Sequence, residues 1–211
     1  MKIKEAEGIT HGLSSPSKMP GRAFNTSPWK CIRGSVLAEL PGTVCNTCYA
    51  RKGRYNFKKV KLALEKRELA FYHPNFVEAM ATLISKQSPE VFRWFDAGDL
   101  QNEDQLDIIC QICNATPDTK HWLPTRERGI INKYFTTHLK PSNLVVRISA
   151  DVINCFPILS DKRFVGSAVK TKEFDFVYPH YLCPSKDQDN KCLNCRACWD
   201  ENVQLVVYRE N

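Results

Sequence analysis

Alternating strand and helix signals predict an α/β protein built on a parallel sheet, and three observations carry that prediction. Apolar runs at 91–99 and 120–125 each break into a polar loop and are followed by a stretch with helical spacing, and a further run at 143–149 extends the pattern. Strand-then-helix repeats require right-handed crossovers and parallel pairing. Two cysteine-rich loops, 31–55 and 183–198, flank this core. Five or six parallel strands favour a partial βα barrel with cysteine-rich loops, with an open doubly wound sheet as the alternative. At 211 residues the chain suits a single domain, 1–211: a lead-in, a βα core over 23–178 and a cysteine-rich segment from 179.

Residues 1–22 read as an irregular lead-in, broken at Ser15-Pro16 and Pro20-Gly21. A short strand at 22–27 ends at Pro28, which places the first cysteine loop at the carboxyl end of a strand, where barrel proteins collect their chemistry. Asn56 caps a helix from Phe57 to Tyr72 with Val60, Leu64 and Phe71 on one side and cations on the other. His73-Pro74 stops it, and Asn75 opens a second helix carrying Phe76, Val77, Met80, Leu83 and Ile84. Asn102 and Gln105 resemble a capping box for a helix whose apolar stripe includes Leu106, Ile109, Cys110 and Cys113. A helix near 128–138 follows, then strands at 163–168, 174–178 and 203–208.

The charge is +7, from 30 Lys and Arg against 23 Asp and Glu, and it favours an anionic partner. The cations concentrate in RKGRYNFKKVKLALEKR at 51–67, where Arg51, Lys52, Arg54, Lys58, Lys59 and Lys61 stand beside Tyr55 and Phe57. Cations for phosphates next to aromatics for bases are the ingredients of contact with a nucleic acid or nucleotide; the solvated face of a basic helix is the competing reading. The first residues lack the apolar core of a signal peptide and no run reaches the length of a membrane span, so the expectation is a cytoplasmic protein with no membrane partner.

Ten cysteines in a reducing compartment argue for metal or redox chemistry over a disulfide framework. Cys45 and Cys48 are spaced to reach one metal from a single turn, with Cys31 as a third ligand. Cys183, Cys192, Cys195 and Cys198 form a second run containing CxxCxxC, a spacing found in ferredoxin-type loops. Three ligands leave one iron of a four-iron cluster open, whereas four close it, so the expectation is one or two [4Fe-4S] clusters. The alternative is zinc, including a single ribbon in which Cys45 and Cys48 join two cysteines of the later run. Cys110 and Cys113 read as core thiols, and Cys155 has no assigned role.

At NTSPWKC, VCNTCYARKGRY, FRWFDAGDL, HWLPTRE, VVRISAD and CLNCRACW the chain resembles a set of phage-borne, cysteine-rich proteins that are regarded as similar to radical S-adenosylmethionine (SAM) enzymes. The resemblance runs from about Lys18 to Tyr208. It implies a partial βα barrel with a four-iron cluster on the first cysteine set, SAM at its open iron, a reductant protein as partner, and a 5′-deoxyadenosyl radical that removes a hydrogen from a nucleic acid or nucleotide during infection. The sequence departs from the usual CxxxCxxC spacing, since thirteen residues separate Cys31 from Cys45. Tyr49 follows the last cysteine, and Thr47 stands where the aromatic normally precedes it. The Gly-Gly-Glu type segment is missing, so Ala97-Gly98-Asp99 would have to receive the SAM amino group. On this resemblance Gly98, Asp99, Thr125 and Ser149 are candidate cofactor-binding residues and Asp99, Arg126 and Arg147 candidate catalytic residues, with Asp96 as a further positioning group. An iron-sulfur enzyme without SAM, and a non-catalytic metal-stabilised binding module, are the competing functions.

Overall fold

Strands with nearly continuous apolar sequence need cover on both faces. The computed structural model, which describes residues 1–210, supplies that cover by helices on one face and by the C-terminal cysteine segment on the other. Seven strands, β1 (Arg22–Phe24), β2 (Val91–Trp94), β3 (Lys120–Thr125), β4 (Leu144–Ser149), β5 (Val165–Lys170), β6 (Tyr181–Leu182) and β7 (Leu205–Arg209), form one sheet in the order β1-β2-β3-β4-β5-β7-β6. Every pairing is parallel. The sheet is open and does not close into a barrel. Its first five strands advance in one direction without the reversal of order that defines a doubly wound sheet.

The helices are α1 (Ile3–Thr10), α2 (Ile32–Ala38), α3 (Lys58–Ala70), α4 (Phe76–Gln87), α5 (Glu103–Ala115) and α6 (Arg128–Thr137). One large core joins Phe24, Phe92, Trp94, Leu123, Val146 and Ile148 of the sheet to Phe71, Phe76, Met80, Ile109 and Phe135 from the helical side. Phe24 meets Phe71, Phe76 and Trp94 edge-on at 5.4–6.3 Å, an arrangement aromatic rings favour. Asn102 Oδ1 accepts from the Gln105 amide at 2.9 Å, so the predicted cap of α5 forms. Cys110 and Cys113 are buried in this core, as core thiols should be.

On the opposite face, Val91, Trp122 and Val206 pack against Cys183, Ala197, Cys198 and Trp199. Trp199 stacks edge-on against Trp122 at 5.2 Å and its indole N–H donates to the Phe92 carbonyl at 2.8 Å.

Several expectations are corrected. The lead-in contains α1, whose Ala6 packs with Ala79 and Leu83; small side chains let two helices approach closely without a long apolar stripe to announce them. No strand forms over 174–178. There Phe174, Phe176 and Tyr178 gather with Phe156 and His180 in a ring cluster, because no neighbouring strand offers them a ladder. Asn56 does not cap α3: Phe57 holds that position without a side-chain bond, and Asn56 Nδ2 donates to the Arg51 carbonyl. The polar side of α3 also carries exposed Leu62 and Leu69. No helix of the described residues is long and apolar enough to cross a membrane.

Candidate functional site

In a parallel sheet all carboxyl ends lie on one edge, and the loops leaving β1 to β4 build that edge here. The first cysteine loop is tied across it. Val44 N donates to the Asp151 carbonyl at 2.9 Å and Ile153 N to the Gly42 carbonyl at 3.0 Å. The Arg33 guanidinium forks onto the Asp151 carboxylate, and the Arg33 amide donates to Glu127 Oε1 at 2.8 Å. Tyr49 reaches the loop after β2, where its hydroxyl bonds to Asp96.

These ties hold the loop that carries Cys31, Cys45 and Cys48. A turn with Cys48 N donating to the Cys45 carbonyl at 3.2 Å sets the CxxC pair side by side. A Cβ placed on Gly34 would lie 2.9 Å from Cys31 Cβ, 3.6 Å from Cys45 Sγ and 3.7 Å from Cys31 Sγ. Two sulfurs therefore border the space that glycine leaves open. Burial, then the negative charges of Asp99, Cys48 and Cys45, push the Cys31 thiol well up. Cys45 is raised by burial, against the opposing pull of Arg126.

The second set lies on the sheet face opposite the helices. Tyr208 Oη stands 3.1 Å from Cys198 Sγ, Tyr181 Oη 3.4 Å from Cys195 Sγ, and Cys183 Sγ donates to Ser185 Oγ at 3.3 Å. Cys192 N donates to the Lys18 carbonyl at 2.8 Å. Burial pushes Cys198 up to about 12, opposed by Tyr208, Arg147 and Arg93. Among the described residues, no three or more His, Cys, Asp or Glu side chains converge in metal-holding geometry, and all ten cysteines are free. The two sets occupy different places, the carboxyl edge and the sheet face.

The other predicted site residues divide between the edge and the interior. Asp99 is buried, and its carboxylate accepts from Thr125 Oγ1 at 2.6 Å, Leu100 N at 2.8 Å and Arg126 N at 2.9 Å. Burial raises its pKa against those bonds. Asp99 and Thr125 thus organise the strand ends. Gly98, at φ +89°, faces Thr26: an added Cβ would sit 2.1 Å from Thr26 Oγ1. Its glycine lets two loops touch. Ser149 accepts from Ser167 Oγ at 3.2 Å.

Arg147 is displaced furthest from its predicted role. Fully buried on β4, it donates to the carbonyls of Gly166, Val203, Ala197 and Asp200 at 2.7–3.1 Å. It fastens the C-terminal segment to the sheet and does not reach the edge. Arg126 does stand beside the first cysteines, with its guanidinium on the Ala150 carbonyl at 3.2–3.3 Å, and it lines an open cavity with Arg33 and Glu127.

Of the predicted nucleic-acid residues, Arg51 is spent internally on the Pro28 carbonyl and Ser35 Oγ, and Lys61 covers the Trp29 ring at 4.3 Å. Lys52, Arg54, Lys58 and Lys59 are exposed. Sequence reasoning passed over Gly34, although its place three residues after Cys31 was a usable signal. It also passed over Arg33, Glu127 and Asp151, whose link joins residues 118 positions apart.

An open parallel sheet with a three-cysteine loop across its carboxyl edge and a four-cysteine segment across one face defines an α/β cysteine-rich protein. The chain belongs to the family described as Gene product 88, whose sequence profile matches residues 4–208. No curated protein and no solved structure matches it.

Proposed function

We propose that this Gene product 88 protein is an iron-sulfur enzyme of phage infection that acts on a nucleotide or nucleic acid, with its working centre on Cys31, Cys45 and Cys48. The observation that supports this reading is one loop at the carboxyl edge that carries all three cysteines, with Cys31 and Cys45 bordering Gly34 and Arg126 acting on Cys45. A four-iron cluster with one open iron supplies one-electron or Lewis-acid chemistry to whatever meets that iron. The chain's own part is to hold the three sulfurs, to set the positive charge of Arg126 next to Cys45, and to fix the loop through Arg33 and Asp151. Cys183, Cys192, Cys195 and Cys198 hold a second, closed centre on the sheet face, ringed by Tyr181, Ser185 and Tyr208.

SAM dependence is the finer part of the proposal, and the hydrogen bonds of Asp99 and Thr125 weigh against it. With those groups engaged, a substrate that meets the cluster without SAM is the second reading.

The test is iron, sulfide and zinc content of protein purified without oxygen, with absorption spectra before and after SAM. About four irons per centre are expected. Cys48→Ala should lose the first centre alone and Cys195→Ala the second alone. A spectral change with SAM selects the radical-SAM-like form, and iron with no SAM response selects the second reading. Zinc without iron would sink both.

A further inference from the structure

A cavity of about 430 Å³ opens between α3 and the loops that follow β1 and β2, lined by Ser14, Asn25, Tyr55, Lys59, Arg67 and Asp96 among others. Arg67 is the unusual member. Its guanidinium is half-buried, donating through Nη1 to Ser14 Oγ at 2.7 Å and through Nε to the His11 carbonyl at 3.3 Å. No carboxylate pairs with it among the described residues, and Nη2 makes no hydrogen bond there. The guanidinium carbon lies 6.0 Å from the Phe24 ring centroid, and with no counter-charge its planar fork is open to a phosphate. Lys59, exposed and unpaired among the described residues, lines the same wall.

The acid in the wall does not cancel this charge. Asp96 is already neutralised by Arg93 Nη1 at 2.9 Å and accepts from the hydroxyls of Tyr49 and Tyr55 at 3.1 and 3.3 Å. Tyr55 thereby has its hydroxyl anchored and its ring beside the cavity, an arrangement suited to stacking a base. The volume lies within the range of small-molecule sites. The same Asp96 ties the cavity to Tyr49, the residue after Cys48.

We propose that this cavity binds a nucleoside 5′-phosphate unit, with the phosphate on Arg67 and Lys59 and the base against Tyr55. The unit comes either as a free mononucleotide or as one position of a single strand. This deepens the reading of nucleotide chemistry at the neighbouring cysteines and rests on it for its purpose, though the binding itself needs no metal.

The experiment is titration of the full chain with dAMP, dTMP and a short oligothymidylate, with the matching nucleosides as controls. Binding of the phosphorylated probes, with nucleosides at least about tenfold weaker, is expected. Arg67→Gln should weaken binding about tenfold or more, and Lys59→Glu, on an exposed side chain that leaves thermal unfolding unchanged, should do so by a similar factor. A mononucleotide that binds as well as the oligomer identifies the free form, and a preference for the oligomer identifies the strand. No binding by the parent chain, binding indifferent to Lys59→Glu, or nucleosides equal to nucleotides would each overturn the site. Metal content of the same samples separates the two proposals: full iron with no nucleotide binding removes this one alone, and Arg67-dependent binding by protein without iron removes only the cluster.

Discussion

Cys31, Cys45 and Cys48 are held by loops at the edge of the sheet, through ion pairs and backbone bonds that face solvent on one side. Cys183, Cys192, Cys195 and Cys198 belong to a segment laid across the sheet, under Trp199 and clamped by Arg147. The edge set is tied in place by ion pairs and backbone bonds between loops. The face set is part of a core and is stabilised by burial and by four carbonyls on one buried cation. A change at the face should therefore be felt as lost stability, and a change at the edge as lost binding or chemistry with the fold retained.

The largest effect that tests this contrast is expected at Arg147. Arg147→Ala leaves four carbonyls without their donor in a dry interior and should cost about 3–5 kcal/mol, read by denaturant unfolding. An unfolding midpoint equal to that of the parent chain would break the contrast outright. Next comes Gly34→Ala at the edge, where the new methyl meets Cys31 Cβ at 2.9 Å. Overpacking of this kind costs about 1–3 kcal/mol, and the iron assigned to the first set should fall with it while the second set keeps its own.

A smaller effect separates the two regions by pH. Burial opposes the charged form of Asp151, but the hydrogen bonds and charge of Arg33, with Arg128 and Arg126 nearby, outweigh it and hold the acid below the ordinary carboxylate range. The stability this gives is complete above the unfolded value near 3.9 and is lost as pH falls through the folded value. Asp151→Asn should remove about 1 kcal/mol at pH 7 and flatten the acid limb of stability below about pH 4. An acid limb unchanged in that variant would place the charge-based stability elsewhere. The smallest effect concerns the basic segment: Lys52→Gln with Lys58→Gln should reduce the salt slope of nucleic-acid binding by about 2, since each phosphate contact contributes about 0.9. An unchanged slope returns these cations to a solvated helix face.

Much of the scaffold was legible because it rests on local patterns. The runs that become β2, β3 and β4 are apolar enough to announce strands buried on both faces, and the Asn102 cap and the Leu106-to-Cys113 stripe define α5. Long-range geometry was not legible. Nothing near Arg147 in sequence shows that its guanidinium ends on the carbonyls of Ala197 and Asp200, some fifty residues away. Phe174, Phe176 and Tyr178 alternate as a strand would, yet their rings prefer one another to a ladder. Asp99 is a parallel case: of its three donors, Leu100, Thr125 and Arg126, the last two come from the end of β3 and the residue after it.

The position of β7 between β5 and β6 sets an order of assembly. A chain made from its amino end has the residues of β1 to β5, and with them every tie of the first cysteine loop, before residues 205–209 emerge from the ribosome. The segment carrying Cys183 to Cys198 is then already synthesised but has no β7 to hold β6 against the sheet, and Tyr208 is not yet beside Cys198. The edge loop can accordingly assemble first and the later segment only once residues 205–209 are made, so a chain halted before residue 205 should leave the later cysteines open to a thiol-alkylating reagent.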